Sequence, residues 1–314
     1  MVKLLGYLFK ASRPKQWLKN LSLFAAIVFT GQLFTPELLK ISLFAFVIFC
    51  LLSSSSYLIN DVIDANRDRL HPFKKLRPIA SGKLSRNFAL GVALAEVIFA
   101  LNFSLLISQG FFLIALTFWM LHMSYSFFLK KATVIDILAI ATCYILRVYA
   151  GEIATGFHLS VWLMLCIISL SLFLAIGKRR SELTLLTAHN ESISAKVRGT
   201  LLHYSEKLLD VYTAIFANAI WITYAFFTFL ERPPTYGWLW QSQWGQFLYS
   251  SYADRKWLMA TIPLVIYGIM RYLQLIYEKS EGESPEEVLL SDKPLLFTVI
   301  FWSFAVVIII YGLG

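Results

Sequence analysis

The chain has 314 residues, of which 58% are hydrophobic and 15% are charged, and its mean hydropathy is +0.66. These values exclude an ordinary water-soluble domain and are typical of a polytopic membrane protein. The formal net charge of +9 is interpreted mainly as a topology signal, so it does not imply nucleic-acid binding. A basic membrane face would also attract anionic lipids and phosphorylated substrates.

Nine apolar segments follow one another along the chain, most of them near the roughly 20 residues that a spanning helix needs. They predict one all-α membrane domain over residues 1–314, a bundle of about nine transmembrane helices. The first segment lacks a convincing cleavage site and is therefore predicted to be a retained span. The segments are 18–35, 39–59, 87–108, 111–129, 133–153, 159–177, 209–230, 257–277 and 294–313.

Lysine and arginine residues fall mainly on alternate connections between these spans, beginning with the N-terminal segment. By the positive-inside rule, this distribution places the N-terminus in the cytoplasm of a multi-pass cell-membrane protein. The two longest cytoplasmic loops are then 60–86 and 178–208, and both begin with charged residues that continue a helix out of the bilayer. The first contains prolines and a glycine, which indicate an ordered turn or a lid.

The loop after the second span begins with four side chains of the kind that bind metal ions: Asn60, Asp61, Asp64 and Asp68. At about 100° per residue, all four project from one face of a helix. Carboxylates so close repel one another, and a hard cation such as Mg2+ removes that repulsion and recruits phosphate oxygens as further ligands. The pattern predicts a Mg2+ and diphosphate site with the three aspartates as catalytic residues. A charged, solvated helix end is the alternative.

The loop after the sixth span opens with bases where the first loop has acids, and reads GKRRSE over residues 177–182. Lys178, Arg179, Arg180 and Glu182 are candidate functional residues in this run. A basic cluster at a cytoplasmic helix end is also what the positive-inside rule alone predicts, so topology is the alternative interpretation.

Further charged residues lie before the first span and within the fifth. Lys15 and Lys19 are four residues apart and are therefore expected on one helical face. Asp136 lies near the start of the fifth span and is a candidate metal or ribose ligand. Arg147 is about 16 Å deeper by helical rise. An arginine at that depth either pairs with an acid such as Glu152 or lines a water-filled cavity.

The pattern Asn-Asp-x-x-Asp-x-x-x-Asp after the second of nine spans resembles the UbiA superfamily of intramembrane prenyltransferases, over essentially the whole chain. The resemblance implies that this motif chelates Mg2+ and the diphosphate of a prenyl donor. It also implies a second Asp-x-x-x-Asp motif after the sixth span. The chain departs from the family there, because residues 177–182 hold one acid and three bases.

Four features of the chain together resemble the decaprenyl-phosphate phosphoribosyltransferase branch of the superfamily. They are this basic run at 177–182, RPKQWLKN at 13–20, LRVYAG at 146–151 and GESPEE at 282–287. The resemblance implies transfer of 5-phosphoribose from phosphoribosyl diphosphate (PRPP) to a polyprenyl phosphate lipid. This reaction brings together a diphosphate, a ribose 5-phosphate and an acceptor phosphate, so additional bases suit it. The predicted substrate-binding residues are Lys15, Lys19, Asn60, Arg77, Tyr125, Lys130, Asp136, Arg147, Lys178, Arg179, Arg180 and Glu182.

Two other functions are also compatible with the sequence. A UbiA-type prenyltransferase would use the same acids to move a prenyl group to an aromatic or other acceptor, although the missing second acidic motif counts against it. A transporter of phosphate or of a lipid-linked substrate would also suit bundled helices and an intramembrane arginine. It would not need a Mg2+ site at a helix end.

Overall fold

The computed structural model describes residues 2–69, 74–188, 204–231, 256–279 and 285–313, and no strand occurs in these ranges. The α-helices are α1 (Val2–Ala11), α2 (Ala25–Phe29), α3 (Pro36–Asp68), α4 (Arg86–Ser104), α5 (Gln109–Phe127), α6 (Ile135–Thr155), α7 (Val161–Ala188), α8 (Glu206–Leu230), α9 (Ile262–Lys279), α10 (Pro285–Ser291) and α11 (Lys293–Ile308). Shorter 3-10 helices cover Pro14–Phe24, Lys74–Leu76, Leu129–Lys131 and Trp257–Thr261, and a π-helical turn covers Ile309–Leu313.

Within the described ranges, eight helical segments are long and apolar enough to cross a membrane, and they coincide with eight of the nine predicted spans. Large apolar side chains such as Ile98, Phe301 and Phe304 are exposed on them, as expected of helices that contact lipid. The predicted fold class, an all-α multi-pass membrane protein, is confirmed.

The first predicted span, 18–35, is not one continuous α-helix. It begins inside the 3-10 helix Pro14–Phe24, continues as the five-residue helix α2 and ends at a turn where Gly31 has a φ of 76°. A 3-10 helix rises about 2.0 Å per residue, against about 1.5 Å for an α-helix. The 11 residues of the 3-10 helix therefore extend roughly 22 Å, against roughly 16 Å for the same residues in an α-helix.

The chain divides into two compact units, and the first contains the described residues of Met1–Ala25, Pro36–Leu129 and Leu146–Gly156. Its core lies between α3 and α4, where the small side chains of Ala89 and Ala93 pack near Leu58 and Ile59. Ile79, from the connection between these helices, is buried in the same cluster. The first predicted loop is thus anchored to the helix that carries the acidic motif.

The second unit contains the described residues of Ala26–Thr35, Lys130–Ile145 and Phe157–Gly314. Helices α7 and α8 pack along each other, and Phe173, Tyr224 and Leu275 lie in a core shared with α9 and α11. Trp302 Nε1 donates a 3.0 Å hydrogen bond to the Tyr224 hydroxyl, which satisfies a polar group inside this core. Helix α7 extends to Ala188, so the first part of the predicted loop 178–208 is helical, while 189–203 lie outside the described residues.

Candidate active site

The acidic motif lies on the last turns of α3, which continues beyond its apolar stretch to Asp68. Asp61 and Asp68 are seven residues apart and both are buried, at 2% and 5% exposure. Asn60 and Asp64 are partly exposed. Helical spacing therefore brings two carboxylates into a desolvated environment, where each requires a positive partner.

One guanidinium joins the two buried carboxylates. Arg77 Nη1 lies 3.2 Å from Asp61 Oδ1 and 2.7 Å from Asp68 Oδ2. Arg77 is brought there by a tight turn in which the Leu84 amide donates to the Pro78 carbonyl at 3.0 Å and Gly82 has a φ of 77°. The proline and glycine that predicted an ordered turn in this loop thus direct an arginine onto the acidic motif.

A second guanidinium, that of Arg13, contacts the same oxygen of Asp61 at 2.5 Å and lies 4.9 Å from the ring centre of Tyr57. The backbone of Arg13 is left-handed, with φ 54° and ψ 66°, directly before Pro14. A non-glycine residue in this conformation costs about 1–2 kcal/mol, and such strain is concentrated at functional sites. Sequence reasoning did not place Arg13 in the site, because a single arginine before a proline has no helical spacing to link it to Asp61.

The buried carboxylates have the chemistry and convergence that a divalent cation requires. Asp61 Oδ1 and Asp68 Oδ2 point at one cationic nitrogen, and carboxylate oxygens are the ligands that hard cations such as Mg2+ prefer. Within the described residues, no group of three or more His, Cys, Asp or Glu side chains is arranged to hold a metal ion. The structure thus fits a cation held by two carboxylates, with the Arg77 guanidinium as its stand-in.

Arg147 on α6 is fully enclosed, at 2% exposure. Its Nε donates a 2.7 Å hydrogen bond to Asn20 Oδ1, and its guanidinium lies 4.7 Å from the ring centre of Phe118. An amide oxygen and an aromatic face both stabilise a cation away from water. The structure thus adds Asn20 and Phe118 to the environment of this predicted substrate-binding residue.

The prediction that Lys15 and Lys19 share one helical face is wrong. Both lie in the 3-10 helix Pro14–Phe24, in which three residues complete a turn. Residues four apart are then about 120° apart around the axis, whereas in an α-helix they would be nearly aligned. Lys15 is exposed and Lys19 is partly buried.

Arg179, in the second unit, contacts two carboxylates, those of Asp136 and Glu182. Its Nε lies 2.7 Å from Asp136 Oδ2, without hydrogen-bond geometry, and its Nη1 donates to Glu182 at 2.5 Å. Tyr204 donates to Asp136 Oδ1 at 2.7 Å and accepts the Val134 amide at 2.6 Å. Burial, and then the bond to Asp136, raises the pKa of Tyr204, so this phenol stays a donor at neutral pH.

The two neighbouring bases differ from each other. Arg180 Nε contacts Asp210 at 2.8 Å, and its Nη2 contacts Glu206 at 3.2 Å. Lys178 is partly exposed and has no ion pair or hydrogen bond to any residue that the structure describes. Within the part of the chain that the structure describes, Lys178 is therefore the one base of this run without a carboxylate partner.

Tyr125 lies near the end of α5 and belongs to the first unit, whereas Lys130 lies in the 3-10 helix Leu129–Lys131 and belongs to the second. Both are partly exposed. A cavity of about 210 Å3 in the second unit is lined by residues that include His158, Ser160 and Glu231, near the start of α7. It contains none of the predicted site residues.

The chain is similar to known proteins over nearly its whole length. The model of the UbiA prenyltransferase family matches residues 20–286. The decaprenyl-phosphate phosphoribosyltransferase of Corynebacterium glutamicum is 34% identical over 306 residues, which cover 96% of this chain and 86% of that protein. The enzyme of the same name from Mycolicibacterium smegmatis is 32% identical, with 95% and 91% covered.

The fold has solved counterparts as well. The structure of a UbiA homologue from Archaeoglobus fulgidus bound to DMAPP and Mg2+ superposes with a TM-score of 0.70 at 20% identity, and 96% of this chain and 98% of that chain are covered. Sequence and fold agree, and the chain belongs to the UbiA prenyltransferase family.

Proposed function

We propose that this membrane enzyme transfers 5-phosphoribose from PRPP to a polyprenyl phosphate of the decaprenyl type and releases diphosphate, with Mg2+ as its cofactor. The observation that carries the proposal is the 34% identity, along 96% of the chain, to an enzyme named decaprenyl-phosphate phosphoribosyltransferase. The basic run at 177–182, where UbiA-type prenyltransferases are expected to carry a second acidic motif, supports the same substrate.

In this proposal the end of α3 holds the diphosphate of PRPP. Asp61 and Asp68 would hold the metal, and Asn60 and Asp64, on the same helical face, would offer further oxygen donors. When bound, Mg2+ neutralises the charge that develops on the diphosphate as its bond to the ribose breaks. The solved structure of a UbiA homologue bound to DMAPP and Mg2+, which has the same fold, supports the assignment of a divalent cation.

The acceptor needs little activation by the protein. A phosphate monoester has a second pKa near 6, so the polyprenyl phosphate is largely dianionic at pH 7. One of its oxygens attacks C1 of the ribose, the bond between C1 and the diphosphate oxygen breaks, and diphosphate leaves with the electron pair. No proton is removed in this step, so no side chain has to act as a general base. In-line displacement inverts C1 and gives a β-linked product.

The bases orient phosphates in this account. Lys178 binds one of the substrate phosphates, because its charge is not taken up by a described carboxylate. Arg179 and Arg180 stabilise the segment that carries Lys178, through Asp136 and Asp210 respectively. Direct phosphate binding by either arginine stays a prediction.

We also propose that the reaction takes place at the cytoplasmic face of the cell membrane, with the N-terminus in the cytoplasm. The positive-inside distribution of lysine and arginine supports this orientation. PRPP then reaches the site from water, and the lipid tail of the acceptor reaches it from the bilayer.

The second candidate is prenyl transfer, which the family model and the DMAPP-bound homologue favour. Purified protein in detergent, supplied with Mg2+ and a polyprenyl phosphate, separates the two. With PRPP labelled in the ribose ring, we expect the label to move into the lipid extract. No labelled lipid, together with consumption of a prenyl diphosphate in the presence of an aromatic acceptor, would establish the second candidate.

A further inference from the structure

Each of the three carboxylates at the end of α3 lies beside a guanidinium group of the first unit. Arg13 and Arg77 contact Asp61, and Arg77 also contacts Asp68. Asp64 has the exposed Arg67 at 3.9 Å. A divalent cation added beside these guanidinium groups brings further positive charge into a partly desolvated site, and an anion arriving with the cation would balance that charge.

The position of Arg13 is fixed by hydrogen bonds between the residues that follow it and helix α3. Trp17 Nε1 donates to Ser54 Oγ at 3.0 Å, and the Tyr57 hydroxyl donates to Gln16 Oε1 at 3.2 Å. Ser54 and Tyr57 lie on the same side of α3 as Asp61, at helical spacings of seven and four residues.

These contacts fix the turn that follows Arg13, and the left-handed backbone of Arg13 directs its guanidinium to Asp61. The tip of Arg13 lies against Tyr57 on one side and Asp61 on the other. The positive charge of Arg13 is therefore held beside the buried carboxylate of Asp61.

We propose that Arg13 is a positioning residue that makes metal binding depend on diphosphate: the acidic motif takes up a divalent cation weakly when it is alone and tightly when a diphosphate arrives with it. The inference rests on the proposed function in one respect, that Asp61 and Asp68 hold the metal. Its physical basis is that the cation must displace a guanidinium that remains close by, and the displaced charge needs a new counter-ion. Because coupling is reciprocal, the metal tightens diphosphate binding by the same factor.

Equilibrium dialysis of the full-length protein in detergent tests this directly, with radioactive Mn2+ as the probe and with or without inorganic diphosphate. In the unsubstituted protein we expect diphosphate to tighten Mn2+ binding strongly. In Arg13→Gln, Mn2+ alone should bind about tenfold tighter, because a charge-assisted contact to its ligand is gone, and the gain from diphosphate should shrink by a similar factor.

Two variants serve as controls. Arg13→Lys keeps the charge and should keep the coupling. Arg86→Gln makes the same charge change in the same unit, but Arg86 bonds Asn66 rather than a carboxylate, so it should behave like the unsubstituted protein. An equal gain from diphosphate in Arg13→Gln and in the unsubstituted protein would overturn the inference.

Arg77→Gln protects the test against loss of folding in Arg13→Gln. It removes the guanidinium shared by Asp61 and Asp68 but keeps Arg13 beside Asp61, so Mn2+ with diphosphate should still raise its melting temperature more than Mn2+ alone. An equal response of Arg77→Gln to Mn2+ with and without diphosphate would count against the inference. Mn2+ binding that survives Asp61→Asn combined with Asp68→Asn would instead contradict the metal site of the proposed function.

Discussion

Asp136 and Arg179 form a buried ion pair, with the carboxylate Oδ2 2.7 Å from the guanidinium Nε and both side chains less than a tenth exposed. The base was predicted to bind substrate, and the acid was predicted to bind metal or ribose. The structure joins them to each other and to Glu182 and Tyr204, and their roles in substrate or metal binding stay predictions. The basic run after the sixth predicted span is therefore partly a structural network.

This network predicts a large effect of Asp136→Asn on stability. The substitution removes one of the two carboxylates that contact the buried Arg179 guanidinium and leaves Glu182 as the other, which costs about 1.5–3 kcal/mol of unfolding free energy. Thermal unfolding in detergent measures the effect. The matched control is Asp210→Asn, which removes an exposed partner of Arg180 and should change stability by less than about 1 kcal/mol. Equal effects of the two substitutions would contradict the structural role of Asp136.

Lys178→Gln should affect substrate binding and leave folding unchanged. Because Lys178 has no ion-pair partner within the described residues, its loss breaks no internal contact found there, and thermal unfolding should not move. Loss of a charge-assisted phosphate contact should lower kcat/KM by about tenfold or more. Lys207→Gln, an exposed change of the same kind in the same unit, should keep normal kinetics. Normal kinetics in Lys178→Gln would exclude this lysine from the site.

Substitutions in the acidic motif should abolish turnover. Asp61→Asn and Asp68→Asn each remove a proposed metal ligand, and activity should fall by more than about 100-fold. Glu37→Gln, a neutralised acid at the other end of the same helix, should be fully active. Initial rates across a range of Mg2+ concentrations check both expectations. Full activity of either motif variant would contradict the role of that aspartate as a metal ligand.

Gly151→Ala should destabilise the first unit. A Cβ at this position of α6 would collide with the backbone carbonyl of Leu23, which cannot move aside as a flexible side chain can. Forced packing of this kind costs about 1–3 kcal/mol. Gly91 lies in helix α4, and a Cβ added there would have open space around it. Gly91→Ala should therefore be neutral or stabilising by up to about 1 kcal/mol. Thermal unfolding of the two variants side by side decides between these outcomes.

The sequence predicted the membrane class and the acidic motif because both depend on local regularities. Apolar runs of about 20 residues give spans, and a spacing of seven residues puts Asp61 and Asp68 on one helical face. The 3-10 helix Pro14–Phe24 was missed, since its apolar and polar residues also fit an α-helix.

The partners of the charged residues could not be read from spacing either. Arg180 and Asp210 are 30 residues apart, and Arg13 and Asp61 are 48 apart. Only the folded chain brings them together. For Arg13, the one local signal was an arginine directly before a proline, and that signal does not indicate which carboxylate the arginine contacts.

The most direct test of phosphoribosyl transfer uses PRPP labelled with 32P at two separate positions, in parallel reactions with purified protein, Mg2+ and polyprenyl phosphate. Label on the ribose 5-phosphate should appear in the lipid extract, and label on the terminal phosphate of the diphosphate should remain in water as inorganic diphosphate. The Asp68→Asn variant should give neither product. Release of labelled diphosphate without labelled lipid, or lipid that carries the diphosphate label, would contradict the proposed function.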